Sequence, residues 1–279
     1  MVVASGEANQ YVIGEDENAY FSHSSDFIDA EFSYELIRGK ETFLNSGDDT
    51  YFGTSFETIG WDNEVHGNRG NDFLQGSWLA PSRDLFRGGK DNDSLNGGMG
   101  GNDFLHGAWG DDSIEGSSAS SILRGGKGDD WISGGLQRDL LMGAVGKDHL
   151  WGGGGSDFFM LRTDVTGDGY ANLVSNQVEA DRILDFNAAE DYVILPGVAS
   201  HDDVWFDVEG NNTVIKVWDG QTDMIAGVIE GIAGVQGLFD PGITDERVIV
   251  GGLADQVNAD TNSVDAFLSN PNMLYDFGF

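Results

Sequence analysis

Large apolar residues return at a fixed interval through the middle of the chain. From residue 44 to 162 they are Tyr51, Val65, Leu74, Phe86, Leu95, Leu105, Ile114, Leu123, Ile132, Leu141, Leu150 and Phe159. The interval is nine residues from Ile114 onward and stretches near 53–57, 76–84 and 97–103. Neither a 3.6-residue helical period nor simple alternation fits it, and a long fixed period marks stacked repeats. Between the apolar positions lies a polar, glycine-rich turn. Clear copies are GNRGNDFLQ from Gly67, GGKDNDSLN from Gly88, GAWGDDSIE from Gly107, GGKGDDWIS from Gly125, GGLQRDLLM from Gly134, GAVGKDHLW from Gly143 and GGGGSDFFM from Gly152. Less regular copies begin at Leu44, Thr58, Gly76, Gly97 and Gly116, and most of the twelve units read G-G-x-G-x-D-x-U-x, with U the apolar residue.

This unit predicts an all-β solenoid. Three residues around U form a short strand, with U inward and its neighbours outward. The preceding six residues turn, because glycine tolerates positive φ and close backbone approach. Two units close one coil, and six coils spaced about 4.8 Å apart give a roll roughly 29 Å long. One U side chain per strand is a thin core, so the turns need another source of cohesion. The sixth position supplies the clue. Stacked turns pile aspartates a few ångströms apart, and such a file repels itself without a cation. Oxygen-only ligands on glycine turns suit Ca²⁺ at about 2.3–2.6 Å, whereas Mg²⁺ favours a tighter octahedral shell.

The units resemble the RTX nonapeptide repeats of bacterial type I-secreted proteins. The resemblance spans residues 44–162 and implies a right-handed parallel β-roll around Ca²⁺, in which one unit's aspartate and turn carbonyls share an ion with the unit one coil away. The metal-site residues it implies are Asp49, Gly67, Asp72, Asp84, Gly88, Asp93, Gly97, Asp103, Gly107, Gly110, Asp112, Gly125, Gly128, Asp130, Gly134, Asp139, Gly143, Gly146, Asp148, Gly152, Gly155 and Asp157.

Alternate units face opposite sides of the roll. The odd units carry Asp49, Asp72, Asp93, Asp112, Asp130 and Asp148 without a gap, and six stacked turns imply five shared ions. The even units read Asn63, Asp84, Asp103, Ser121, Asp139 and Asp157 and hold every irregular spacing. One or two ions are expected there, the best gap lying between Asp139 and Asp157. With flanking sites the total is about six to eight Ca²⁺. The even-side insertions, with Trp78, Leu79 and Pro81, are either tolerated loops or a recognition surface.

Charge changes the picture of partners. The chain has 48 acidic and 14 basic residues, a net charge of −34, which disfavours nucleic acid and anionic membranes. The repeat segment itself carries −9, from 18 acidic and 9 basic residues, and bound Ca²⁺ would neutralise it. Without cysteine there is no disulfide framework or thiolate metal site. No apolar run reaches the length of a membrane span.

Residues 1–43 are expected to cap the roll, with short strand-like runs at 11–13, 19–21 and 32–37. Residues 163–279 read as a β-rich second cap. Within it, DVTGDGYANLVS at 164–175 has Ser175 where an EF-hand has Glu, so a turn is the default reading. The segment DRILDFNAAEDYVILPG at 181–197 resembles the closing segment of RTX rolls, with Asp181, Asp185 and Asp191 as candidates for one more Ca²⁺ or as solvated turn acids. Alternating strands are expected at 204–208, 213–218, 224–229 and 247–250. The opening MVVASGEANQ lacks the pattern of an N-terminal signal peptide. The last 60 residues, acidic with Arg247 as the one basic residue and ending LYDFGF, resemble an uncleaved type I secretion signal.

Catalytic motifs are missing. There is no HExxH and no GxSxG, and Ser117 and Ser118 fall in a degenerate turn. His66, His106 and His149 fall at or near position nine, expected to be solvent-facing strand ends. The expectation is therefore a non-enzymatic, secreted, calcium-binding structural protein that self-associates as a matrix, surface-layer or filament subunit. The alternative is an adhesin or carbohydrate-binding module that uses Trp61, Trp78, Trp109 and Trp131 on an extracellular glycan.

Overall fold

A computed structural model describes residues 12–13, 19–21, 24–29, 41–53, 63–78, 81–163, 173–198, 200–218, 221–234 and 247–249. These residues form two eleven-stranded sheets, and the chain alternates between them along the roll. Sheet A runs Val12–Ile13, Ala19–Tyr20, Glu41–Phe43, Asn63–Arg69, Asp84–Lys90, Phe104–Trp109, Ile122–Lys127, Leu140–Val145, Phe158–Met160, Tyr192–Ile194 and Val248–Ile249. Sheet B runs Phe27–Asp29, Thr50–Phe52, Phe73–Gln75, Ser94–Asn96, Ser113–Glu115, Trp131–Gly135, His149–Gly153 and Arg182–Ile183. It continues into an antiparallel meander of Asp223–Ile229, Asn212–Trp218 and Val204–Glu209. The strand pairs between Ala19 and Ile194 within each sheet are parallel, as a solenoid requires.

Register follows the apolar position. In sheet A, Val65 pairs with Phe86, Phe86 with Leu105, Leu105 with Leu123, Leu123 with Leu141, and Leu141 with Phe159. In sheet B, Tyr51, Leu74, Leu95, Ile114, Ile132 and Leu150 align in the same way. A one-residue slip would turn every one of these side chains outward, so the apolar file sets the register. All twelve lie in one continuous core and are buried. The file extends past the nonapeptides, to Ile28 at one end and to Ile183 and Val193 at the other.

Two expectations need correction. Five strands of sheet A are longer than three residues, spanning six or seven, because residues two and three of the turn keep pairing with the next coil. The core is also not a single file. Leu85, Phe104, Ile122, Leu140 and Phe158 sit one residue before U, on the outer face of sheet A, yet form a second buried cluster with Met142, Met160 and Ile194. The corresponding face of sheet B is polar and aromatic and stays exposed, with Trp131 half exposed. The run at 32–37, most of the loop at 164–175, Trp61, Leu79, the insertion near 53–57 and the closing LYDFGF lie outside the described residues.

Candidate metal centre

The turns from sheet A to sheet B are the odd units. The first begins on Leu44 and the others on a glycine within the last residues of a sheet A strand, and each finishes on an aspartate two residues before the next inward side chain. The fourth position carries the sharp reversal: Gly47, Gly70, Gly110, Gly128 and Gly146 have φ between +114° and +140°. A Cβ at Gly70 would lie 1.8 Å from the Gly47 carbonyl oxygen of the preceding coil, so only glycine allows this stacking distance. Asp91 is the exception, at φ 75°, and its carboxylate accepts the Gly70 N–H at 3.3 Å.

The aspartates form a hydrogen-bonded file. The Asp26 N–H donates to Asp49 Oδ1 at 2.6 Å, and the Asp49 N–H to Asp72 Oδ1 at 2.8 Å. The same link joins Asp72 to Asp93, Asp93 to Asp112 and Asp112 to Asp130, each at 2.8 Å. Asp130 follows to Asp148 at 2.9 Å and Asp148 to Asp181 at 3.1 Å. One oxygen of each carboxylate therefore ties two coils together. The other is left over: Oδ2 of Asp49, Asp72, Asp93, Asp112, Asp130 and Asp148 is buried and accepts no hydrogen bond. Buried carboxylate oxygens are costly unless a cation or donor meets them.

From Asp72 onward these oxygens point to the first glycine of their own turn. A Cβ on Gly67 would meet Asp72 Oδ2 at 2.2 Å and the Gly88 carbonyl oxygen of the next coil at 2.5 Å. Gly88, Gly107, Gly125 and Gly143 face Asp93, Asp112, Asp130 and Asp148 Oδ2 in the same way, at 2.0 to 2.2 Å. Carboxylate and carbonyl oxygens thus converge where a side chain is forbidden. That is a hard-cation donor set, and it fits Ca²⁺. Burial is the main cause of raised pKa values along the file: about 7 for Asp72, 8 for Asp93 and 9 for Asp130, with neighbouring aspartates adding to the rise. Burial thus disfavours the charged carboxylates along the file unless a cation meets them.

The turns from sheet B to sheet A are less complete. The Asp84 N–H reaches Asp103 Oδ1 at 2.9 Å, and Asp139 and Asp157 are linked at 2.9 Å. Unpartnered Oδ2 atoms remain on Asp103 and Asp139. Gly76, Gly97, Gly134 and Gly152 face Asp84, Asp103, Asp139 and Asp157 Oδ2 at 2.1 to 2.6 Å, and Gly134 also faces the Gly152 carbonyl at 2.4 Å. Ser121 interrupts the column: its N–H still donates to Asp139 Oδ1 at 2.7 Å, but Gly116 faces only the Gly134 carbonyl and the Leu123 side chain. At the far end the column is closed by backbone. Asp191 Oδ1 accepts the Asp157 N–H at 3.0 Å and its Oδ2 the Asn187 N–H at 2.7 Å, while Asp185 takes the Gly152 and Gly153 N–H groups. Asp185 and Asp191 are therefore committed to donors in the chain.

Asp26 belongs to the same file and is missed by counting nonapeptides, although Asp26–Phe27–Ile28 carries the D-x-U signature. A second, exposed file also escapes the repeat formula. The N–H groups of Asn71, Asn92, Asp111, Asp129 and Lys147 donate to the fifth-position side chain one coil back, at 2.8 to 3.0 Å. The histidines differ from expectation. His66 and His106 are not solvent-facing; burial, with nearby arginines, lowers them to about 4 and about 3. His66 meets Glu41 at 2.7 Å and Arg87 at 3.3 Å, so the group of Glu41, Glu64 and His66 already has its cation in Arg87.

The family model for the RTX calcium-binding nonapeptide repeat, in four copies, matches residues 62–78, 81–114, 98–123, 106–141, 115–150 and 137–161. Residues 62–161 are an RTX repeat array, the repeat class that binds Ca²⁺. No curated protein matches the chain.

Proposed function

We propose that this RTX repeat protein is a secreted scaffold whose roll folds when Ca²⁺ enters the two aspartate columns, and which then self-associates as a matrix, surface-layer or filament subunit. The observation that carries the calcium reading is the row of buried Oδ2 atoms without hydrogen-bond partners, which from Asp72 onward each face a glycine that no side chain can replace. The orphaned oxygens number six in the column of Asp49 to Asp148 and two in the other, which supports a continuous spine of five shared ions and a shorter second column. The 22 aspartates and glycines of the repeat are its ligands, by carboxylate or by turn carbonyl.

Metal binding free energy becomes folding free energy when the unfolded chain has no site. A low-calcium interior would keep the chain unfolded for type I export, and millimolar external Ca²⁺ would fold it. Self-association would rest on stackable roll ends and on acidic flanks that divalent cations bridge. The test is far-UV circular dichroism with sedimentation velocity, from chelator to about 10 mM Ca²⁺, with Mg²⁺ as the control. A Ca²⁺-specific gain of β signal with growth in particle size is expected. Folding without growth removes the assembly reading, and no response from metal-free protein removes the calcium reading. A glycan-binding adhesin is the second reading, favoured by exposed Trp78 and Trp109. Calcium-dependent glycan binding lost on Trp78→Ala supports it.

A further inference from the structure

The outer face of sheet B carries a slot between two aromatic rings. The row one residue before U reads Phe73, Ser94, Ser113, Trp131 and His149, in register on consecutive coils. Phe73 is 36 % and Trp131 50 % exposed, and between them the row holds only the two serines. Phe73 and Trp131 are three coil steps apart, about 14 Å. Ser94 and Ser113 floor the gap, and Asn96 and Glu115, one residue after U on the same strands, flank it. An exposed aromatic surface rimmed by polar groups marks an interaction site.

The walls are braced from behind. Trp131 stacks on His149 of the next coil, with ring centroids 5.4 Å apart and planes 18° from parallel, which covers one indole face. The coil on its other side offers nothing larger than Ser113. Phe73 leans on Phe52 at 5.8 Å, and Phe52 on Phe27 at 5.6 Å. The polar flank is also fixed. Asn96 Oδ1 accepts from Gln75 Nε2 at 3.0 Å and from the Gly98 N–H at 2.8 Å, and Asn96 Nδ2 donates to Glu115 Oε2 at 2.6 Å. Glu115 is the one charged residue at the outward positions of the four strands from Phe73 to Ser133. Trp109 makes a contrast: Lys90 and Lys127 already lie over its ring, at 5.4 and 4.9 Å from the centroid.

We propose that this slot binds an uncharged sugar unit of an extracellular polysaccharide, stacked on Trp131, with its hydroxyls on Ser94, Ser113 and Glu115. The assignment rests on the glycan-binding reading and gives it a site. A pyranose has an apolar C–H face and a belt of hydroxyls, which matches one open indole face beside short polar side chains. An apolar protein side chain would strip water from those polar groups and leave them unpaired, at a cost. An anionic unit would meet Glu115 and a chain of net charge −34. Calcium acts through connectivity. Each residue of the row follows an aspartate of the spine: Asp72 precedes Phe73, Asp93 Ser94, Asp112 Ser113 and Asp130 Trp131. Ions that set the coil stacking therefore set the distance between the walls. Sugar binding depends on Ca²⁺ without any contact between ion and sugar.

The full chain, folded in Ca²⁺ and checked by circular dichroism, is titrated by calorimetry with cellohexaose, laminarihexaose, mannohexaose and maltohexaose. A hyaluronan hexasaccharide is the anionic control. Wild type should bind at least one neutral sugar in Ca²⁺ and none in chelator. Trp131→Ala should weaken that binding about tenfold or more. Ser113→Trp fills the slot from an exposed position and should abolish binding, with the β signal and calcium midpoint unchanged. Trp78→Ala should bind as wild type does. Loss of binding in Trp78→Ala, with full binding in Trp131→Ala and Ser113→Trp, overturns the slot and leaves the glycan reading standing. A Ca²⁺-folded wild type that binds none of the neutral sugars overturns both, and one that binds only the hyaluronan fragment overturns the slot chemistry. No sugar binding together with smaller particles for Trp131→Ala in sedimentation velocity assigns the slot to a contact between copies and equally overturns the proposal. If Trp131→Ala does not fold, Ser113→Trp decides alone.

Discussion

Gly67→Ala tests the cradle directly. Gly67 has no positive φ among the left-handed glycines, so alanine adds no backbone strain. The new methyl would lie 2.2 Å from Asp72 Oδ2 and 2.5 Å from the Gly88 carbonyl oxygen. Carbon–oxygen contacts are repulsive inside about 3 Å, so the carboxylate has to swing aside by close to an ångström. That removes one oxygen from the ion and strains the 2.8 Å bond from the Asp49 N–H. At free Ca²⁺ a hundredfold above Kd, one ion contributes about 2.7 kcal/mol, and a buried N–H left unsatisfied costs about 1–3 kcal/mol more. The expected loss is about 4–6 kcal/mol in Ca²⁺, with one fewer ion per chain by equilibrium dialysis. Gly70→Ala is the contrast: at φ +114° its methyl meets the Gly47 carbonyl at 1.8 Å, so it disrupts coil stacking itself. An unchanged ion count and calcium midpoint in Gly67→Ala would refute the placement of Ca²⁺ between Asp72 and Gly88.

Ser121→Asp should restore the missing carboxylate in front of Gly116 and add one bound Ca²⁺, read by the same dialysis; a count equal to wild type would mean that geometry, not ligand number, limits that turn. In chelator, acid should substitute for calcium. The folded-state values of Asp72, Asp93 and Asp130, about 7, 8 and 9, exceed the ordinary unfolded value of about 3.9, so their contribution favours folding most below about pH 4 and disappears as pH rises through 7 to 9. Circular dichroism in chelator should show more β structure at pH 5 than at pH 8, and equal spectra would count against the buried file. Leu123→Ala, at a fully buried position, should cost about 2–5 kcal/mol by thermal melting in saturating Ca²⁺.

The roll is legible in the sequence because its energetics are local and periodic. Each U side chain packs on the coils above and below and on the facing sheet, so Leu105 stacks between Phe86 and Leu123 with no partner outside the repeat pattern required. A nine-residue count is then enough to find the core, the turns and the aspartate file. What the count misses has a different origin. Asp26 and Asp181 join the file at |i−j| spacings of 23 and 33, because the coils at the ends carry long insertions that hide the period. The second cluster was visible as Leu85, Phe104, Ile122, Leu140 and Phe158 at one residue before U, but that position is formally outward. Nothing in the nine-residue pattern marks it as buried. His106 was misassigned for the same reason.

The two sides of the roll divide the work of stabilisation differently. On the Asp49 to Asp148 side the inserted residues are few, the carboxylates are uninterrupted, and unpaired oxygens accumulate. On the other side Ser121 breaks the column and Asp191 and Asp185 close it with backbone donors. A coil there is held by hydrogen bonds that persist without metal. Calcium withdrawal should therefore not loosen the roll evenly. Repeat stacks behave as chains of neighbour-coupled units, so the coils between Asp72 and Asp130, whose buried Oδ2 atoms have no donor within the chain, should open first. The closing coil at 181–194, whose Asp191 is fully hydrogen-bonded within the chain, should retain protection longest. Hydrogen exchange during slow chelation reads this order directly. Uniform loss of protection along the roll would show that the ions act on the fold as a whole and not coil by coil.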